Sequence, residues 1–122
     1  MPMGIDRFEL GRINDGLASA VSRLYDTQEG CPHRPGTVLA FTSNVDQGGQ
    51  GPEKPIARAT VTAVERSTVG ARKGDDRAAA LEGCTDAREW YVHLRSRYGE
   101  QTDNTPVWAI RFRVEERYNL IK

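Results

Sequence analysis

Residues 107–114 read Val-Trp-Ala-Ile-Arg-Phe-Arg-Val, and this alternation constrains the fold more than any other feature of the chain. Successive side chains of a strand point to opposite faces. Trp108, Ile110, Phe112 and Val114 therefore share one face, and Val107, Ala109, Arg111 and Arg113 share the other. A slip of one residue would exchange the faces and bury guanidinium groups without partners, which is very costly. The segment is expected as a strand with its aromatic face in the core and Arg111 and Arg113 in solvent.

A strand needs neighbours, and three other segments supply them. Residues 36–42 are rich in β-branched and aromatic side chains. From Ile56 to Val64 the chain sets Arg58, Thr60 and Thr62 against Ala57, Ala59, Val61 and Ala63, the pattern of a strand with one wet side. Residues 19–25 read as extended. The Gly- and Pro-rich runs 26–36 and 43–55 predict loops.

Helical signals lie elsewhere. Residues 6–18 read as a short strand or coil followed by one or two helical turns ending near Gly16. Residues 75–83 predict a short helix capped by Asp75 or Asp76 and stopped by Gly83. A second helix starts at Thr85 or Asp86, where Asp86 and Glu89 have capping-box spacing. It carries Ala87, Trp90, Tyr91, Leu94 and Tyr98 on one buried stripe and stops at Gly99. Strands with helices inserted before the last of them make an α+β chain.

The 122 residues suit a single domain over 1–122. With 38% hydrophobic and 28% charged residues, wholesale disorder is excluded. The 17 basic and 17 acidic residues cancel, so binding to a polyanion has to rest on a local patch. Arginine supplies 14 of the 17 bases, which suits phosphate forks and base stacking but also follows from Arg-rich codon usage. Cys31 and Cys84 stand far apart and outside any CxxC pair, so neither a disulfide framework nor a zinc site is expected. No metal and no cofactor is called for. No apolar run approaches the roughly 20 residues of a membrane span, and the N-terminus lacks a signal pattern. The expectation is a cytoplasmic protein with no membrane association.

Three motifs carry a resemblance to a known family. The first is Ile13-Asn14-Asp15-Gly16-Leu17-Ala18-Ser19-Ala20-Val21-Ser22-Arg23, the second Pro35-Gly36-Thr37-Val38-Leu39, and the third Ala79-Ala80-Leu81-Glu82-Gly83. In this order and spacing, over residues 8–114, they resemble the ASCH domain. The resemblance implies a small PUA-like mixed β-barrel of about five to six strands with two or three helices packed on it. It also implies a role with RNA or nucleotides. Family members that hydrolyse acetylated cytidine use a Lys and a Thr from the first motif and a Glu from the third. Here the Lys position holds Ala18 and the Thr position Val21, neither of which transfers a proton or attacks a carbon. Glu82 and Arg23 are kept, Ser19 keeps a hydroxyl, and Ser22 adds one.

The expected function is thus binding of RNA or a nucleotide-like small molecule, through Arg23, Glu82, Ser19 and Ser22, without the family's amidohydrolase activity. Glu82 is the best candidate if a reaction is catalysed. A ribonuclease or amidohydrolase with a modified site is the alternative, as is a protein-interaction accessory module. Each candidate also has a plainer reading. Glu82 can be a solvated helix-end residue, and Arg23 a structural partner of Asp26 or Glu82. The Trp90 stripe reads as core rather than a stacking platform. His93 reads as exposed and His33 as an unpaired loop residue. Arg58, Arg66, Arg111 and Arg113 read as a solvated sheet face balanced by Glu65 and Glu115.

Overall fold

Two long antiparallel strands organise the protein. The computed structural model describes residues 2–25, 30–43, 52 and 54–118. The elements run β1 (Pro2–Gly4), α1 (Arg7–Asn14), β2 (Ala20–Arg23), β3 (Val38–Ser43) and β4 (Lys54–Thr68), then α2 (Val69–Arg72), α3 (Asp76–Leu81), α4 (Ala87–Tyr98) and β5 (Pro106–Arg117). One sheet holds the five strands in the order β1-β3-β4-β5-β2. The β1–β3 pair is parallel and the other pairs are antiparallel.

The β4–β5 register shifts between Arg58 and Ala59 and between Val61 and Ala63, and the β3–β4 register shifts between Phe41 and Thr42. Such irregularities bend a strand and tighten its twist. The sheet accordingly curls into a half-barrel. Its interior is filled by Val21, Leu39, Phe41, Ile56, Ala59, Val61, Ile110 and Phe112, with Ile5 and Ile13 from the α1 side. A second core lies under α4, where Trp90 and Leu94 pack with Val69, Ala79, Cys84 and Val107.

β5 keeps its expected register: Trp108, Ile110 and Phe112 are buried and Arg113 is exposed. Its other face departs from expectation. Val107 and Ala109 are buried too, because the second core covers that face at this end of the strand. Arg111 is half-buried and reaches Glu65 at 3.5 Å, and Val114 is only half-buried. The helices near 75–83 and 86–98 start at Asp75 and Asp86 as anticipated. The reciprocal capping box, however, belongs to α1. There Asp6 accepts from the Glu9 N–H at 2.9 Å and Glu9 accepts from the Asp6 N–H at 3.3 Å. In α4 the Glu89 carboxylate turns instead to the Thr85 N–H and to Arg12, both at 3.0 Å. β1 and the single turn of α2 are elements the sequence patterns do not announce. Of the loop expected at 43–55, Ser43, Lys54 and Pro55 belong to strands, while 44–51 and 53 lie outside the described residues.

Candidate ligand-binding site

β2 brings the candidate chemistry together, and all four of its residues are buried. Neighbouring residues of a strand face opposite ways. Ser22 faces α3 and α4, and Arg23 faces α1 and β1. The Ser22 hydroxyl donates to Glu82 Oε2 at 2.5 Å, and the Trp90 indole N–H reaches both that oxygen, at 3.1 Å, and Ser22 Oγ, at 3.0 Å. Trp90 is thus core, as expected, and a hydrogen-bond donor as well.

Glu82 caps the C-terminus of α3 and is 8% exposed. Gly83, which follows it, has φ +80, and a Cβ there would meet Arg12 at 2.8 Å, so glycine alone allows this close turn. Burial pushes the Glu82 carboxyl up to about 7; Glu9's charge pushes the same way, while the Ser22 and Trp90 bonds and Arg72 pull it down. Both donors fall on Oε2. No described residue donates to Oε1.

On the other face Arg23 closes the barrel. Its Nη1 donates to Glu9 Oε2 at 2.6 Å and to the Ser22 carbonyl at 2.9 Å. Its Nη2 donates to Glu9 Oε1 and to the Gly4 carbonyl, each at 3.0 Å. Gly4 belongs to β1 and Arg23 to β2, the two edges of the sheet. Four of the five guanidinium N–H groups are therefore spent inside the protein, and the Arg23 side chain bridges the sheet's two edge strands. Burial works against its charge, but the Glu9 carboxylate outweighs that and holds its pKa above the ordinary value. Arg97 extends the network, donating from Nη1 to Asp6 at 3.0 Å and to Glu9 at 3.2 Å.

The expected residues are therefore divided between two clusters. Ser22 and Glu82 form one, Arg23 and Glu9 the other, and Arg23 makes no hydrogen bond to Glu82. Asp26, the other partner anticipated for Arg23, lies outside the described residues. Ser19 is exposed, its hydroxyl 3.4 Å from the Leu81 carbonyl. Ala18 and Val21 are packed in the barrel interior, 8% and 1% exposed. Glu9 is a site residue that the motifs do not include, although Asp6 and Glu9 have the same capping-box spacing as Asp86 and Glu89.

His93 differs from expectation, while His33 keeps to it as an unpaired loop residue. His93 is not an exposed residue: it stacks on Phe8 with ring centroids 4.2 Å apart. His33 is buried, and its Nδ1 has no hydrogen-bond partner among the described residues. Burial, and then the charge of Arg23, lowers its pKa below the ordinary imidazole value. Asp6, Glu9 and His93 bring ligand atoms within 4.8 Å of one another. Both carboxylates are engaged by Arg97 and Glu9 also by Arg23, so the arrangement is an ion-pair network rather than an open cation cage.

No family model matches the chain, and no curated protein does. Solved structures do. An ASCH domain from Lactobacillus crispatus JV V101 superposes with a TM-score of 0.67 at 19% identity, covering 86% of this chain and 69% of that one. A protein of Enterococcus faecalis V583 described under DUF984 gives 0.65 at 16% identity, covering 93% and 74%. A tyrosine-to-phenylalanine mutant of an ASCH protein from Zymomonas mobilis gives 0.59 at 15% identity, covering 98% and 74%. The chain has the fold of these ASCH-domain structures.

Proposed function

We propose that the protein binds RNA or a nucleotide-like ligand and that Glu82 reads the nucleobase. The observation that carries this reading is the Glu82 carboxyl itself. It is buried, fixed through Oε2 by Ser22 and Trp90, and poised at about 7, with Oε1 uncommitted among the described residues. A glutamine would accept the same two hydrogen bonds without the desolvation cost of an ionisable group. What a carboxyl adds is a change of role near neutral pH: Oε1 donates as an acid and accepts as a carboxylate. Nucleobase edges set ring acceptors beside exocyclic amino donors, and single-stranded RNA exposes those edges. Ser22 orients the carboxyl, and Ser19 stands at the exposed rim. Arg23 holds the β1–β2 seam and acts as a positioning residue rather than as a free fork.

The amide hydrolysis that the resemblance implies would need a proton-transferring side chain where Ala18 and Val21 stand. A carboxyl poised near 7 does suit acid–base work, so phosphodiester cleavage is the second reading. Titrating nucleosides and short single-stranded RNA at two salt concentrations tests both, with RNA integrity checked after each titration. Glu82→Gln should change base preference, with up to about 1.5–3 kcal/mol lost for the preferred base. Absence of binding, or binding indifferent to Glu82→Gln, refutes the assignment.

A further inference from the structure

We infer that a pocket between α1 and α4 is a phosphate subsite, taking the phosphate monoester of a nucleotide. It has a volume of about 260 Å³ and is lined by Asp6, Arg7, Phe8, His93, Ser96 and Arg97. This deepens the nucleotide reading above and rests on it.

The pocket's aromatic floor is already covered. The Arg12 guanidinium lies 4.3 Å from the centre of the Phe8 ring, and His93 stacks on Phe8 at 4.2 Å. Phe8 therefore offers no free face to a base, and recognition falls to the polar groups. Asp6 is consumed: it caps the Glu9 N–H and takes Arg97 at 3.0 Å, with His93 Nε2 at 3.3 Å. Arg97 is held in place by Asp6 and Glu9 and brings its charge to the rim.

Arg7 is the telling residue. It is exposed, and among the described residues it has no ion pair or hydrogen bond. It occupies the first turn of α1, where the positive end of the helix dipole repels a cation. Ser96 likewise offers a hydroxyl with no partner among the described residues. Among the pocket's lining residues Asp6 stands against Arg7 and Arg97, which leaves one guanidinium charge in excess. A phosphate answers these features, because the Arg7 fork and the Ser96 hydroxyl match its oxygens and the helix end favours an anion. Arg97, whose own fork is turned to Asp6, Glu9 and the Gly4 carbonyl, adds positive charge.

The test compares inorganic phosphate, a nucleoside and its 5′-monophosphate on the whole chain by calorimetry and amide chemical shifts. The monophosphate should bind about tenfold tighter than the nucleoside, with shifts at Arg7, His93 and Ser96. Arg7→Ala should abolish that advantage and leave nucleoside affinity unchanged. Arg113→Ala, on the exposed sheet face, should leave it intact. Inorganic phosphate shifting the same amides while no nucleoside binds supports the subsite and refutes the base reading at Glu82. A nucleoside that binds as tightly as its monophosphate, or an advantage that survives Arg7→Ala, overturns the subsite and leaves the Glu82 reading standing.

Discussion

Glu82→Gln should remove a pH dependence from folding stability. The Glu82 carboxyl titrates at about 7 in the folded protein against 4.5 for an unburied glutamate. Between these values the folded chain keeps a proton that the unfolded chain has released. Stability is therefore greatest below pH 4.5, falls as the pH rises toward 7, and levels off above it. At about 1.4 kcal/mol per pH unit the interval amounts to about 3 kcal/mol, large against the roughly 5–15 kcal/mol that holds a domain folded. His33 acts with the opposite sign, since its lowered pKa makes folding less favourable as the pH drops below 6.5. The difference between the wild-type and variant curves isolates Glu82. Urea unfolding followed by tryptophan fluorescence from pH 5 to 8 measures it, and Trp90 sits against the carboxyl. The variant should gain about 2 kcal/mol or more on the wild type over that range. A difference that stays constant with pH would refute the buried, proton-holding carboxyl.

Other perturbations reach the remaining links. Arg23→Ala leaves the buried Glu9 carboxylate with Arg97 as its remaining ion-pair partner and should cost about 3 kcal/mol; a loss below about 1 kcal/mol in urea titrations would contradict the clasp. Trp90→Phe removes a donor from Oε2 and should raise the Glu82 pKa further, read from the carboxyl stretch in infrared titration; an unchanged or lower midpoint counts against the geometry. The unmodified protein should not hydrolyse acetylated cytidine above background, and turnover seen by mass spectrometry would refute the loss of chemistry at Ala18 and Val21. Ala18→Lys with Val21→Thr forces an ammonium and a hydroxyl into the packed barrel interior and should lower the melting temperature.

The sequence by itself determined what local periodicity and caps can encode. Alternation in residues 107–114 set the register of β5, since the wrong register buries arginines. Asp75, Asp86, Gly83 and Gly99 marked helix ends because each satisfies or releases backbone groups within a few residues of itself. The order of elements and the three motifs pointed to the fold that the structural neighbours share. Tertiary structure decided the rest. Nothing local distinguishes Val107 from a solvent-facing residue; it is buried because α4 packs over that end of β5. Ser22 and Arg23 are adjacent in sequence, yet β2 sends them to different partners. Glu82 and Trp90 receive Ser22 from 60 and 68 residues away, while Glu9 receives Arg23 across the seam. Burial of a charge, and hence the pKa of Glu82, is a property of what surrounds the group in space. Such surroundings come into being only when distant segments meet.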